Sequence, residues 1–404
     1  MDSTNNSENK PELTKNRIIH YLRCNPGSSR QQCALALSVS TFTVSRIVGE
    51  LLQKGVVYEH EGEVKNDAPG RPGISLYLNP NFSCFAGIEF DTQYWRFVVV
   101  NFSGELTYTH VTRFPLFSNQ IEFVDVLNRF LNEQITLIKK KGIDVESFCI
   151  GAPGFIDREN GCIKSYELLP FFKEIPLIKH VSINTDIPIY ITHNIFNLAY
   201  NNSNELDEYR DKSVIHIVVR SGISACLSNS MKPFIGNHYL AGEIGLTDIG
   251  QGVFLQDIAS TTALQRLLPN IDKKFWEGDE QSIQDVYTKN KKAHHILKRA
   301  TFSIARVLGN IQAFADSDII VVYCPFMKKN SALWKDFSDK FYQQLEVKGL
   351  CDIKIVCIDD SEVALAKSSA LFCMEYQYPR TIDDLKARSQ YLLKKKHETE
   401  GSSS

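Results

Sequence analysis

The opening of the chain alternates apolar and polar residues at helical spacing. Residues 12–24 place four apolar side chains on one helical face: Leu13, Ile18, Ile19 and Leu22. A second helix is predicted from residue 29 or 30 to Leu37, because Ser28 with Gln31 three residues later is typical of a capping box. The third helix has an apolar stripe that must face a core: Val44, Ile47, Val48 and Leu51.

Two strand-like segments follow these helices. Residues 56–61 and 73–78 flank a polar turn with glycine and proline, which predicts a β-hairpin. Two helices joined by a tight connection at residues 38–40, and followed by a hairpin, are typical of a winged helix-turn-helix whose second helix reads the major groove. We therefore predict a winged helix-turn-helix DNA-binding domain over residues 1–78. Protein-interaction domains also use this arrangement, and the pattern leaves that alternative open.

The rest of the chain shows one pattern twice. After Asn79-Pro80-Asn81 come three strands, an amphipathic helix and a further strand: 85–90, 95–101, 106–111, 121–140 and 147–151. The second half repeats the three strands and adds helices and strands: 214–219, 223–228, 232–235, 255–268, 293–314, 319–323, 332–347, 353–358 and 362–376. This predicts a bilobal α/β body with a cleft, its lobes covering residues 79–200 and 201–378. Residues 379–404 are expected to form a C-terminal helix and a disordered tail.

Composition narrows the class of protein. The 404 residues are 43% apolar, with 45 Lys and Arg against 47 Asp and Glu, which suits two or three compact domains and excludes a disordered or fibrous chain. No apolar run reaches the length of a membrane span, so we expect a cytoplasmic protein without a membrane partner. Ten cysteines are scattered without a C-x-x-C pair, and no thiolate metal site or disulfide frame is predicted.

The net charge of −2 means that contact with DNA must come from a local patch. The candidates are polar or exposed positions on the second and third helices and in the turn of the hairpin: Arg30, Thr41, Phe42, Thr43, Ser45, Arg46 and Arg71. Arg71, in the stiff Gly70-Arg71-Pro72 turn, suits a narrow minor groove. Phe42 has two interpretations, contact with a thymine methyl or packing against the hairpin or a partner. Glu59, Glu61 and Glu63 are expected to point away from a duplex.

Several motifs, taken together, resemble the ROK family of repressors, open reading frames and sugar kinases. They are the second and third helices, the turn at residues 70–73, Gly151-Ala-Pro-Gly-Phe-Ile-Asp157, and Ala241-Gly-Glu-Ile-Gly245. The match spans about residues 14–376 and is closest to the family's bacterial transcriptional repressors of the N-acetylglucosamine repressor type. The resemblance implies an actin-like ATPase (ribonuclease H-like) fold for the body, in agreement with the repeated pattern.

The chain departs from the family's catalytic pattern. Kinases of the family use an aspartate as the base, and the matching position here is Asn194, whose carboxamide cannot take up a proton near neutral pH. Where the family has glycine-rich phosphate loops, this chain has bulkier or charged segments: residues 91–93, 220–222 and 323–325. We therefore expect no enzyme activity, no catalytic residue and no bound ATP.

The family's zinc site is also altered. Its histidine is matched by Leu246, and residues 247–253 lack the expected cysteines, so no zinc or other metal is predicted. The residues that match the family's sugar contacts and the turn beside them are the candidate ligand residues: Gly154, His193, Asn194 and Glu243. The resemblance implies a carbohydrate pocket there, while a structural role for Glu243 as a relic stays open.

The leading hypothesis is a sequence-specific DNA-binding transcriptional regulator, most simply a repressor, with a non-catalytic body that senses a sugar or a sugar derivative. Two winged helices would meet two half-sites of a double-stranded operator, which requires a homodimer or a tetramer. One alternative is that the body senses a protein partner. Another is an active sugar kinase, which only the fold favours.

Overall fold

The computed structural model describes residues 10–61, 74–115, 117–181, 187–205, 207–209, 211–230, 232–238, 240–350, 353–358 and 362–380. Among these residues, no helix combines the length and the apolar character that crossing a bilayer requires.

The N-terminal module contains three helices and a two-stranded antiparallel sheet. Its elements are α1 (Lys10–Cys24), α2 (Arg30–Leu37), α3 (Thr41–Gln53), β1 (Val57–Glu61) and β2 (Ile74–Leu78). The predicted apolar stripe of α3 is buried, as expected from its spacing. The predicted capping box is one residue off: Ser29 caps α2 with Gln32. Ser28 instead bridges to Leu76 of β2 and donates its hydroxyl to Asn25, so it is not free to cap the helix.

The first lobe follows as a mixed sheet with helices. Its elements in chain order are β3 (Cys84–Phe90), β4 (Tyr94–Asn101), β5 (Leu106–Arg113), α4 (Gln120–Lys140), β6 (Val145–Ala152), β7 (Phe155–Asp157), β8 (Cys162–Ser165), β9 (Lys173–Ile175), α5 (Leu177–His180), β10 (Ile189–His193) and α6 (Asn194–Glu205). Strands β7, β8 and β9 form a separate small antiparallel sheet that the apolar pattern did not predict.

The second lobe and the last helix complete the chain. The elements are a 3-10 turn (Asp207–Tyr209), β11 (Ser213–Val219), β12 (Ile223–Asn229), β13 (Lys232–Pro233), a 3-10 turn (Ile244–Leu246), α7 (Leu255–Ala259), α8 (Thr261–Leu267), α9 (Lys273–Trp276), α10 (Glu280–Lys289), α11 (Lys291–Ala315), β14 (Ile319–Tyr323), α12 (Ala332–Val347), β15 (Lys354–Ile358) and α13 (Ala364–Gln377). The single helix predicted over 255–268 is divided, because Ser260 adopts an extended conformation and caps α8.

The two large sheets repeat one topology. The order β10-β6-β3-β4-β5 in the first lobe corresponds to β15-β14-β11-β12-β13 in the second. In each sheet three consecutive strands pair antiparallel and two later strands join in parallel. This is the duplicated α/β body that the sequence pattern predicts.

Helix α13 does not stay with the second lobe. It packs on β3, β4 and β6 of the first lobe and along α6, which corrects the assignment of residues 201–378 to one lobe. The reason is a face of small residues that lets the helix lie close to the sheet: Ala366, Ser369, Ala370 and Cys373. The predicted C-terminal helix and tail at 379–404 fall outside the described residues, apart from Pro379 and Arg380.

Candidate functional site

A cavity of about 300 Å³ lies between the two lobes. All four candidate ligand residues from the sequence line it: Gly154, His193, Asn194 and Glu243. Its wall also contains apolar side chains, among them Phe155, Leu168, Leu246 and Leu365. A mostly apolar cavity with a few convergent polar groups is the usual form of a small-molecule site.

His193 and Asn194 enter the cleft where β10 ends and α6 begins. The backbone N–H of Ile195 donates to His193 Nδ1 at 3.3 Å, so the ring hydrogen is on Nε2, which faces Glu243 Oε1 at 3.4 Å. Asn194 donates from Nδ2 to Glu89 Oε1 at 3.3 Å, which turns the acceptor oxygen of its carboxamide away from that carboxylate. Glu243 and the Asn194 oxygen are therefore acceptors suited to ligand hydroxyl groups.

Gly154 forms the turn that borders the cleft. Its φ is +81°, and a Cβ there would lie 2.3 Å from the carbonyl oxygen of Ser165. Only glycine fits both the left-handed backbone and this close approach. Gly154 therefore shapes the wall of the cavity through its backbone and contributes no side-chain contact to a ligand.

Three buried charges form the floor beside these residues. Arg96, directly opposite Glu89 across the β3–β4 ladder, donates to Glu89 Oε2 and to Asp91 Oδ2, both at 2.9 Å. Burial raises the pKa of Glu89, Arg96 opposes that shift, and Asp91 adds to it. Burial would lower the pKa of Arg96, but the two carboxylates raise it, so the guanidinium stays charged.

Backbone N–H groups at two of the segments that match the family's phosphate loops are hydrogen-bonded within the protein. Asp91 Oδ1 accepts from the backbone N–H groups of Gln93 at 2.7 Å and Tyr94 at 2.9 Å. In the second lobe, the backbone N–H of Arg220 donates to the carbonyl of Gly222 at 2.9 Å. Backbone donors of this kind would have to face a phosphate, and the Asp91 carboxylate would repel one. In this structure those N–H groups are therefore engaged within the protein.

The third loop that the sequence analysis compared with the nucleotide pattern lies elsewhere. Tyr323 and Cys324 are buried in the apolar clusters of the second lobe and are not among the residues that line the cavity.

The position that matches the zinc-binding histidine of the family is occupied by Leu246. Leu246 closes the 3-10 turn after Glu243 and presents an apolar side chain to the cleft. Among the described residues, no group of three or more His, Cys, Asp or Glu side chains could hold a metal ion.

Several cleft residues were not found from the sequence. The Tyr166 hydroxyl and Ser221 Oγ are 3.4 Å apart across the lobes, and Gln256 donates to Glu167 at 2.8 Å. Burial raises the pKa of Tyr166, which keeps its hydroxyl protonated as a donor. Tyr166 and Gln256 carry no local sequence signal, whereas two opposite charges inside adjacent apolar strands could have indicated the Glu89–Arg96 pair.

The N-terminal module presents a second candidate surface on α3. Thr41, Phe42 and Arg46 are exposed, while Thr43 and Ser45 are half-buried. Phe42 is 80% exposed, so it does not pack against the described part of the hairpin. Ser40 caps the helix by accepting from the backbone N–H of Thr43 at 3.1 Å, which fixes how this face begins.

The basic candidates on this surface have acidic neighbours. Arg30 pairs with Glu59 at 2.6 Å, so Glu59 lies beside the basic group and does not point away from it. Arg46 pairs with Glu50 one turn along α3. Arg71 lies outside the described residues. Leu35 on α2 is also 83% exposed, at a position that is not among the residues predicted from the sequence.

Comparisons with known proteins fit this architecture. Residues 85–356 match the family model described as "ROK family". A relative named "Putative xylose repressor", from Caldicellulosiruptor sp. (strain Rt8B.4), is 26% identical over 336 residues, which cover 77% of this chain and 82% of that protein. This match covers a larger share of the chain than the family segment does.

Two solved structures share the fold. One is described as a ROK family transcriptional regulator, homolog of the E. coli MLC protein, with a TM-score of 0.69 and 16% identity over 95% of this chain and 98% of that one. The other is the ROK hexokinase from Thermus thermophilus, with a TM-score of 0.55 and 16% identity over 73% of this chain and 99% of that one. The match to the regulator covers 95% of this chain, so it includes residues of the N-terminal module as well as the body. The match to the kinase covers 73% of this chain, a share about as large as the body alone.

Proposed function

Since the chain belongs to the ROK family, we propose that it is a DNA-binding transcriptional repressor whose body binds a sugar or a sugar derivative in the cleft. The observation that carries the proposal is the combination of helix α3, whose outer face exposes Thr41, Phe42 and Arg46, with a cleft that gathers Gly154, His193, Asn194 and Glu243. The relative named as a xylose repressor supports the same assignment.

The N-terminal module acts as a winged helix-turn-helix. Helix α3 enters the major groove with Thr41, Phe42, Ser45 and Arg46 toward the base edges, while α2 and Arg30 lie near the backbone. The Arg46–Glu50 pair is exposed and the Arg30–Glu59 pair is partly exposed, so their arginines can exchange a carboxylate for a phosphate or a guanine at small cost. Phe42 and Leu35 offer apolar contact to thymine methyl groups.

The body acts as a sensor and not as a catalyst. Asn194 holds the position of the base, and its carboxamide is held by a carboxylate that is itself paired with Arg96. A sugar would donate hydroxyl hydrogens to Glu243 and to the Asn194 oxygen while its apolar faces lie against Leu168, Leu246 and Phe155. Two copies of the chain in the bacterial cytoplasm would present two reading helices to a palindromic operator.

Selection of genomic DNA tests the DNA-binding half of the proposal. The purified full chain is incubated with sheared DNA from its own genome, and the retained fragments are sequenced. We expect a small set of fragments sharing a palindrome, with binding lost in Arg46→Ala and kept in Arg129→Ala, an exposed body position on α4. Retention of random fragments, or equal binding by both variants, contradicts the proposal.

Thermal denaturation with sugars tests the sensing half. D-xylose, D-glucose and N-acetyl-D-glucosamine are each added to the full chain, because a ligand that binds only the folded state raises the melting temperature by mass action. We expect one of these or a related sugar to raise it, and Glu243→Gln to abolish the shift. Release of ADP from ATP in the same mixtures would instead establish a kinase, and absence of any shift would favour a protein partner.

A further inference from the structure

We propose that Glu375 is a positioning residue that fixes the N-terminal module on the body and links the orientation of that module to the state of the cleft. This inference rests on the proposed function, since it assigns to the same cleft a route of regulation. It concerns four side chains, called here the junction cluster: His20, Arg23, Glu375 and Arg380.

Glu375 lies near the end of α13 and is 7% exposed. Its Oε1 accepts from Arg23 at 2.7 Å and faces His20 Nδ1 at 2.9 Å, and its Oε2 forms an ion pair with Arg380, whose Nε lies 2.8 Å away. Burial alone would raise the pKa of Glu375, but Arg380, His20 and Arg23 hold it well below its usual range. Burial lowers the pKa of His20, and the neighbouring Glu375 carboxylate opposes that shift.

The cluster joins α1 to the body on one continuous surface. His20 and Arg23 belong to α1, whereas Glu375 and Arg380 belong to the end of the described chain. One helical turn earlier, Asn16 donates to the carbonyl of Pro379 at 2.8 Å in a buried contact. Side chains from both regions share one apolar core: Ile18, Ile19, Leu22, Phe102, Leu371 and Tyr376. The module is therefore part of the first lobe's packing and not a domain on a loose linker.

Two helices connect this junction with the cleft. Helix α13 begins beside Leu365 and α6 begins at Asn194, and both residues line the cavity. From Leu365 to Glu375 the helical rise corresponds to about 15 Å. At the far end, Arg380 donates to the hydroxyl of Tyr200 on α6 at 2.7 Å. The two helices that carry cleft residues thus both reach the junction cluster, α13 through Glu375 near its end and α6 through Tyr200 in its middle.

Buried polar contacts hold these helices together along their length. Asn197 donates to Ser369 Oγ at 3.1 Å, and Asn201 donates to the carbonyl of Ser368 at 2.7 Å. Amide donors satisfied by a neighbouring helix fix one relative position, because any slip leaves a buried donor without a partner. A displacement of α6 by a ligand at Asn194 would therefore be shared by α13.

The sheet beneath α13 leaves no room for the helix to deform locally. A Cβ on Gly87 would lie 2.3 Å from the carbonyl oxygen of Ala366, and one on Gly151 would lie 2.1 Å from Ser369 Oγ. Because backbone and sheet are this close, α13 shifts as a unit when it shifts at all. Its far end carries Glu375, so α1 must follow or the junction cluster must break.

Gly151→Ala tests the route from the cleft to the module. The added methyl group pushes against Ser369, and hydrogen exchange of backbone amides is measured on the full chain without DNA or sugar. We expect exchange of α1 amides to accelerate by about tenfold, while α10–α12 in the second lobe keep their wild-type rates. Acceleration confined to α13 and its immediate neighbours, with α1 unchanged, would overturn the inference.

Glu375→Gln tests the same route in the opposite direction. The variant keeps the size of the side chain and removes the charge, and Glu375→Asp serves as a second variant that keeps the charge. We expect faster exchange in α1 and also in the first turns of α6 and α13 at the cleft, with partial return in Glu375→Asp. Asp336→Asn, which removes the charge that pairs with Lys298 beside Tyr287 in the second lobe, is the matched control and should leave both regions unchanged.

If hydrogen exchange in Glu375→Gln accelerates in α1 and not in α6 or α13, Glu375 has only a local structural role. That result would overturn the link to the cleft. These measurements require neither an operator nor an effector. Failure of the genomic selection would remove the proposed function and leave the exchange results standing, whereas a failed exchange test with successful selection would remove only the role of Glu375.

Discussion

Two buried glutamates, Glu89 in the cleft and Glu375 at the junction, both pair with arginines, yet their pKa values are shifted in opposite directions. At Glu89, burial raises the pKa; the guanidinium of Arg96, which lowers it, is shared with Asp91, and Arg220 adds a smaller lowering. At Glu375, the guanidinium groups of Arg380 and Arg23 outweigh an equally complete burial and lower the pKa. The ratio of cations to carboxylates therefore decides how a buried ion pair behaves.

The different balance of cations and carboxylates matches the different roles of the cleft and the junction cluster. The carboxylates that line the cleft outnumber its guanidinium, that of Arg220, so the cleft offers acceptors suited to hydroxyl donors. The junction is fully compensated and gains nothing from a ligand, so it is suited to hold two parts of the protein in one orientation. The same residue types thus serve binding in one region and positioning in the other.

Removal of Arg96 should produce the largest effect. Arg96→Ala leaves Glu89 and Asp91 buried without their shared cation, and we expect a loss of about 3–5 kcal/mol in the free energy of unfolding. Denaturant titration of the full chain measures it. Arg129→Ala, at an exposed position of α4, should stay within about 0.5 kcal/mol of wild type. Equal midpoints for both variants would refute the electrostatic account of the cleft floor.

Removal of one arginine of the junction cluster should lower the free energy of unfolding by less than removal of Arg96 does. Arg23→Ala leaves Glu375 paired with Arg380, so we expect a loss of about 1–3 kcal/mol in the same titration. The comparison with Arg96→Ala is direct, since each variant removes one buried guanidinium. A cost for Arg23→Ala that exceeds that of Arg96→Ala would mean that the second cation does not compensate.

The DNA-reading surface should respond without a change in stability. Phe42→Ala removes an exposed apolar side chain, and we expect weaker binding to the selected fragments by about 1–2 kcal/mol with an unchanged denaturation midpoint. Fluorescence anisotropy with labelled fragments measures the affinity. If Phe42→Ala binds as wild type does, Phe42 belongs to a different interface.

The two glutamates should give opposite pH dependence. The folded pKa of Glu375 lies below its unfolded value, so its stabilisation is complete above the unfolded pKa and is lost as pH falls through the folded pKa. The folded pKa of Glu89 lies above its unfolded value, so its neutral form is favoured and stability falls as pH rises between the two values.

Unfolding free energies of wild type, Glu375→Gln and Glu89→Gln from about pH 3 to about pH 8 check these signs. With rising pH, wild type should gain stability relative to Glu375→Gln and lose stability relative to Glu89→Gln. The same slope for both variants would show that the two environments do not differ as described.

The sequence predicted what depends on local pattern. The apolar face of α3, the duplicated strands and the grouping of His193, Asn194 and Glu243 around one cleft all follow from spacing or from motif resemblance. The sequence-based prediction was wrong where two structural roles compete for one residue. Ser28 was the expected cap of α2, but its pairing with β2 moved the cap to Ser29.

Long-range packing was beyond the sequence pattern. Nothing in residues 364–377 indicates that this helix returns to the first lobe, because that placement depends on the glycines at 87 and 151 in distant strands. The junction cluster likewise joins residues more than three hundred positions apart, at ordinary helical positions. Such contacts become visible only when both surfaces are known.

The most direct test of the account is the affinity of the full chain for a selected fragment, with and without the sugar that raises its melting temperature. We predict at least a tenfold loss of affinity on adding the sugar in wild type, and little change in Glu375→Gln, whose junction no longer responds to the cleft. Sugar that binds in the cleft and leaves the DNA affinity of wild type unchanged would contradict the claim that this cleft controls the reading helix.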